Sequence, residues 1–261
     1  MLSAQQVEQA AAFLFQARTS KTKGDLIPES FRPGDRESAL AIQARVMELT
    51  GEPIAGWKCG VPKGNGPLVV SPIPASAILR TSPCVVPPPV GRIEPEIAFV
   101  MARDLPPRAT PYSENQLQDA VKEARMVLEL LGTRYRDDLA PSPIDLLADS
   151  YNHHGLFIGP VIPNIFDREL ASLPVKITAG GKVLFEKVHP HPSGGPMKSY
   201  SWLVQFLSDQ ALIYKGQGLK EGQIVTTGSY AGAVEAPIGV PLQVELSGIG
   251  KFDCELVTGA A

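Results

Sequence analysis

At the start of the chain, hydrophobic positions recur every three to four residues. Val7, Ala11, Leu14 and Phe15 follow Ser3 and Gln6, which have capping-box spacing, so the pattern predicts a first helix beginning just after Ser3. Pro33-Gly34-Asp35 interrupts it and offers Asp35 as an N-cap; Ile42, Val46 and Leu49 mark the buried face of a second helix, and Gly51 is placed to end it. Prolines at 62, 67, 72, 74, 83 and 87–89 exclude a long helix between Gly60 and Val90, which reads as loops and short edge strands. Glu96 to Met101 reads as a strand. Ser113 to Arg125 reads as a helix, again with a Ser-x-x-Gln start, and Met126 to Leu131 is an apolar run with one acid inside it. In the last third, Val175 and Ile177, then Gly180-Gly181, then Val183 and Phe185 give a hairpin signature. Ser199 to Tyr214 reads as a helix with Leu203, Phe206 and Leu207 on one face. Val240, Leu242, Val244 and Leu246 alternate, as do Phe252, Cys254 and Leu256, with Gly248 and Gly250 turning between them. The expected class is α/β (α+β) and β-rich, with an N-terminal α/β segment over 1–80 and a core over 81–261.

Composition narrows the function classes. The 261 residues, 44% hydrophobic and 20% charged, exclude a disordered chain. A net charge of −3 without a basic run argues against a nucleic-acid surface. Three cysteines at 59, 84 and 254 form neither a disulfide framework nor a CxxC metal site. No apolar stretch approaches the ~20 residues of a membrane span, and the first residues lack the order of a signal peptide. A soluble, cytoplasmic protein is expected.

The sharpest chemical feature is Glu94-Pro95-Glu96-Ile97-Ala98-Phe99-Val100. Strand positions two apart share a face, so two carboxylates project side by side and repel unless something neutralises them. A divalent cation does so with hard oxygen ligands; a solvated strand end partnered by Arg92 is the alternative. Glu129, alone in an apolar run, is costly to bury unless paired or metal-bound, or else it faces water. Lys58 lies between glycines in Gly56-Trp57-Lys58-Cys59-Gly60, where it can meet a carboxylate substrate or stand as an ordinary surface lysine beside Trp57. Leu147 to Gly155, with Asp149, Ser150 and the pair His153-His154, has the polar character of a functional loop. The prolines and glycines around His189 and His191 suggest a mobile loop rather than a metal site. Thr226-Thr227-Gly228-Ser229-Tyr230 follows a strand, where hydroxyls and bare amides can bind an anionic oxygen or simply form a turn. Neither phosphate-loop pattern nor a GxSxG elbow is present.

In this order and spacing, these segments resemble the fumarylacetoacetate hydrolase superfamily, in its 2-keto-4-pentenoate hydratase and 4-oxalocrotonate decarboxylase branch. The similarity runs from about Ser38 to Val257. It rests on the Ala44–Gly51 helix leading into Gly56-Trp57-Lys58, on Arg92 to Val100, on Glu129, on Leu147-Ala148-Asp149-Ser150 and on Thr227-Gly228-Ser229. The resemblance implies a mixed β-roll core and a homo-oligomer. It implies Mg²⁺ or Mn²⁺ on Glu94, Glu96 and Glu129, with Lys58 as the catalytic residue close to a 2-oxo acid substrate. Asp149, Ser150, Thr227 and Ser229 complete the expected substrate site. The activity implied first is hydration of 2-hydroxypenta-2,4-dienoate in aromatic-compound catabolism. Decarboxylation of a 2-oxo diacid, acylpyruvate hydrolysis and metal or oxo-acid binding without turnover are the alternatives. The chain departs from the branch at Gly66 to Pro72, which lacks the usual acid. It departs again at Leu131-Gly132-Thr133-Arg134, where only the arginine matches, at Ser150 in place of asparagine, and at His153-His154.

Overall fold

The computed structural model describes residues 1–210, 213–214 and 216–259. Helix α1 (Ala4–Ser20) starts at a complete capping box between Ser3 and Gln6, and α2 (Arg36–Thr50) is capped by Asp35 and closed by Gly51 at φ 67°. Strands β1 (Ile54–Gly60), β2 (Val69–Pro74), β3 (Ile78–Leu79) and β4 (Cys84–Val86) thread the proline-rich stretch. Next come β5 (Gly91–Met101), α3 (Glu114–Gln118), β6 (Val121–Leu131), α4 (Pro143–Ala148) and β7 (His153–Ile162). The last third contains β8 (Ser172–Ala179), β9 (Lys182–Pro190), α5 (Pro196–Asp209), β10 (Ile224–Thr226), β11 (Val234–Ala236), β12 (Pro241–Leu246) and β13 (Gly250–Thr258).

Two sheets build the core. The larger runs β2-β1-β10-β5-β6-β7-β3, with β11 also on β5; the smaller runs β4-β13-β12-β8-β9. Strands β2, β3 and β4 all lie at sheet edges, and in β2, which carries Pro72 and Pro74, a missing N–H is best tolerated there. Strands from both sides of residue 80 share the larger sheet. Ala10, Ala11 and Leu14 of α1 are buried, as are Ala39, Ile42 and Val46 of α2, and α2 is pinned to the sheet by Gln43, whose amide donates to the carbonyls of Val70 and Leu147. The Gly180-Gly181 turn joins β8 to β9 with both glycines at positive φ, as the hairpin signature predicts. Among the described residues no helix is long and apolar enough to cross a membrane.

Two expectations change. The helix predicted over Ser113–Arg125 stops at Gln118, and Val121 to Arg125 is strand. The capping box at Ser113 is present, but it nucleates only five residues. Beyond it, pairing with β5 on one side and β7 on the other overrides local helix propensity. The helix predicted over Ser199–Tyr214 begins earlier, with Pro196 in its first turn, and ends at Asp209; residues 211, 212 and 215 lie outside the described set.

Candidate metal centre and active site

The site is founded on the register between β5 and β6. These antiparallel strands place Glu94 directly opposite Glu129, and Glu96 two residues further along on the same face. Ligand atoms of the three carboxylates lie within 4.8 Å of one another. Glu129 is 0% exposed and Glu96 2%. Like charges facing each other across a ladder are destabilising, so the arrangement requires compensating charge.

Lys58 on β1 supplies part of it. Its Nζ lies 2.9 Å from Glu129 Oε1 and 3.9 Å from Glu94 Oε2, and donates to the Tyr151 carbonyl at 3.2 Å. His153, at the first position of β7, places Nδ1 2.8 Å from the same Glu129 Oε1. The two oxygens of Glu129 are thereby distinguished. Oε1 is shared by Lys58 and His153, whereas Oε2 is buried with no hydrogen-bond partner. Glu96 is held from the other side: Thr226 Oγ1 donates to its Oε2, and the Gly228 amide donates to the same oxygen at 2.7 Å. Gly228 sits at φ 114°, where a Cβ would come within 2.8 Å of Pro192, so this close backbone approach requires glycine.

The electrostatics record the imbalance. Burial, reinforced by repulsion from Glu129 and Glu94, pushes the Glu96 carboxyl up to about 8. Burial likewise raises Glu94, only partly offset by Lys58. At Glu129 burial acts in the same direction, but Lys58 and His153 outweigh it and hold the carboxylate below its ordinary range. Burial opposes the Lys58 charge, yet Glu129 and Glu94 more than offset it and keep the ammonium above its ordinary value. With all three carboxyls ionised, one ammonium would leave two negative charges uncompensated. An orphaned buried oxygen and an all-oxygen donor set fit a hard divalent cation.

The other expected residues sit differently. Asp149 is committed to Arg134. Its Oδ1 accepts from Arg134 Nε and its Oδ2 from the Arg134 amide, while the remaining guanidinium nitrogens donate to the carbonyls of Asp149 and His153. Ser150 Oγ meets Arg18 at 3.5 Å. Thr227 Oγ1 donates to the Ile97 carbonyl and Ser229 Oγ to that of Gly232, so both hydroxyls serve the local backbone. The members of that segment that reach the triad are Thr226 and Gly228. His153, Thr226 and Gly228 were not singled out individually from the sequence. The signal available for His153 was a histidine at the mouth of an apolar strand, adjacent to a polar loop.

No family model matches the chain. A curated relative, the 4-oxalocrotonate decarboxylase of a Pseudomonas species, is 23% identical over 161 residues, 62% of this chain; the match spans 59% of that protein's length. Among solved structures, 4-oxalocrotonate decarboxylase from Pseudomonas putida complexed with magnesium and adipate superposes with a TM-score of 0.79 at 18% identity, over 98% of this chain and 99% of that one. Fumarylpyruvate hydrolase from Pseudomonas aeruginosa in complex with Mn²⁺ and pyruvate gives a TM-score of 0.55 at 15% identity, over 80% and 91%. The 2-hydroxyhepta-2,4-diene-1,7-dioate isomerase from Mycobacterium marinum gives 0.54 at 20% identity, over 80% and 78%. These overlaps show that the chain shares its fold with these enzymes.

Proposed function

We propose that the protein is a divalent-cation-dependent lyase acting on short unsaturated 2-oxo acids of aromatic-compound catabolism. The observation that carries this reading is the convergence of Glu94, Glu96 and Glu129 with Lys58 among them. Mg²⁺ or Mn²⁺ on the three carboxylates supplies Lewis acidity toward the oxygens of a 2-oxo acid. Solved relatives of the same fold carry magnesium with adipate and Mn²⁺ with pyruvate, which supports that choice of ion and ligand class. Lys58 has three N–H donors. Two are directed to Glu129 and Tyr151, and the third is left for a substrate oxygen entering beside Glu94. Its charge, maintained by the same acids, binds a substrate carboxylate and holds a proton at the edge of the reacting carbons. Buried Trp57, Ile97 and Val127 on the strands that carry these groups help to keep bulk water from the interior beneath them.

Two reactions fit this framework. Hydration of 2-hydroxypenta-2,4-dienoate requires a group that delivers water. Loss of CO₂ from a 2-oxo diacid such as 4-oxalocrotonate requires none, because the electron pair released by C–C cleavage passes into the conjugated oxo acid. Ser71, paired with Lys58 across the β1–β2 ladder, lies in the stretch where the branch resemblance calls for an acid, and its hydroxyl donates to the Pro72 carbonyl. The near-complete overlap with the decarboxylase structure favours decarboxylation. The test is to assay both compounds with Mg²⁺, before and after chelation, following CO₂ release and water addition separately. Equal rates with and without chelator would remove the cation from the reaction, and water addition without CO₂ would return the assignment to a hydratase.

A further inference from the structure

Arg18 lies in the last turn of α1, far from the triad in sequence, and its guanidinium reaches Ser150, beside the Tyr151 that contacts Lys58. It has no carboxylate within ion-pair distance among the described residues. The nearby acid, Asp149, is already bonded to Arg134 through both oxygens. Arg18 Nε is buried without a partner, and the single hydrogen bond of the guanidinium is the 3.5 Å contact to Ser150 Oγ. It therefore does not cap the carbonyls of its own helix. Burial, with repulsion from Arg134, lowers its pKa to about 10, against the pull of Asp149. Yet the residue as a whole keeps some solvent exposure. A largely buried cation with an unpartnered donor is costly unless an anion completes it.

Its connection to the active site is the turn Ser150-Tyr151-Asn152. All three residues carry side chains and all three sit at positive φ, 58°, 49° and 61°, a run that persists only where the surroundings enforce it. The Tyr151 carbonyl accepts from Lys58, and the Ser150 hydroxyl contacts Arg18. Two cations are thus anchored on adjacent residues of one turn. The structure assigns Arg18, with Ser150, as the group that reads the distal carboxylate of a 2-oxo diacid whose oxo-acid end lies at Lys58 and the glutamates. The assignment rests on the proposed oxo-acid function and specifies which substrates that function selects.

The test uses two six-carbon probes that differ only at the far end, 2-oxoadipate and 2-oxohexanoate. Binding of each to the full chain is measured by calorimetry, with and without Mn²⁺. The wild-type protein is expected to prefer 2-oxoadipate by at least about tenfold, the scale of a charge-assisted hydrogen bond. Arg18→Met is expected to lose that preference, and Arg18→Lys to keep only part of it. A wild-type preference within twofold of unity, or an Arg18→Met preference within twofold of wild type, overturns the assignment. Should the methionine variant not fold, the lysine variant decides: a preference equal to wild type overturns the assignment and a threefold loss supports it. Affinity for 2-oxohexanoate that is independent of Mn²⁺ would overturn the metal reading while leaving the Arg18 comparison intact. Failure of the wild-type chain to bind either probe overturns both.

Discussion

At Arg134 and Asp149 every buried charge meets its opposite, whereas at Glu94, Glu96 and Glu129 three carboxylates share one lysine. The first group is a closed arrangement. The Arg134 guanidinium ties together the end of β6, the end of α4 and the start of β7, with each of its three nitrogens engaged. The second is open: an oxygen of Glu129 has no partner, and the Glu96 carboxyl is raised by burial and by its acidic neighbours. Both groups are buried and both use β6 or residues just beyond it, so burial and location do not distinguish them. Charge balance does. A buried ion pair completed by the protein serves architecture, and one left incomplete marks where something from outside belongs.

The largest expected effect breaks the open group. Glu96→Gln and Lys58→Met should each lower turnover by about 10²–10⁴-fold. Only the glutamate change should also abolish Mn²⁺ binding in a titration followed by calorimetry; equal metal affinity in Glu96→Gln would show that the triad is not a ligand set. Next in size is the closed group. Asp149→Ala leaves Arg134 buried and unpaired and should cost about 3–5 kcal/mol in urea denaturation. If folded Asp149→Ala loses metal affinity as severely as Glu96→Gln, the division between the two groups fails.

These two groups also show what could be read in advance. The acids of the triad were legible because strand periodicity and burial cost are local properties of sequence. So were Ser3, Asp35 and Gly51 at the helix ends, and the Gly180-Gly181 hairpin. The Thr226 to Tyr230 segment was legible as a place for an anionic oxygen, but that the oxygen belongs to Glu96 was not, because those contacts span 130 and 132 residues and depend on β10 pairing with β5. Nor was the commitment of Asp149 to Arg134, which is set by how two chain ends meet in space. The helix expected through Arg125 failed for the same reason: strand pairing on both sides is a tertiary fact that a capping box at Ser113 cannot report.

A smaller effect sharpens the comparison at its border. His153 fixes the occupied oxygen of Glu129. His153→Leu should weaken Mn²⁺ by about 10–100-fold, as loss of an orienting partner does, and His153→Asn, whose amide can stand in for Nδ1, should recover most of it. If the leucine and asparagine variants bind alike, the histidine does not orient the ligand.

The mildest expected effect is in pH. Glu96 titrates near 8 in the folded chain, well above an ordinary carboxylate. Between those two values the folded state keeps a proton that the unfolded state has lost, so stability contributed here falls as pH rises. With chelator present, the melting temperature should decline from mildly acidic conditions toward about pH 8. Added Mg²⁺ should reverse that trend, because the ion displaces the proton and binds more tightly as pH rises. Parallel curves with and without Mg²⁺ would show that the carboxyl and the ion do not compete.

The facing positions of Glu94 and Glu129 carry a lesson for how such a protein can diversify. The connection between β5 and β6 lies at the far end of the hairpin from the acids, so it can lengthen or shorten without disturbing them. A single deletion within β6 ahead of Glu129 is another matter. It would rotate that side chain to the opposite surface of the sheet and bring an aliphatic neighbour into its place. Lineages descending from this scaffold are therefore free to vary their outer loops, while the spacing inside these two strands is held to even steps.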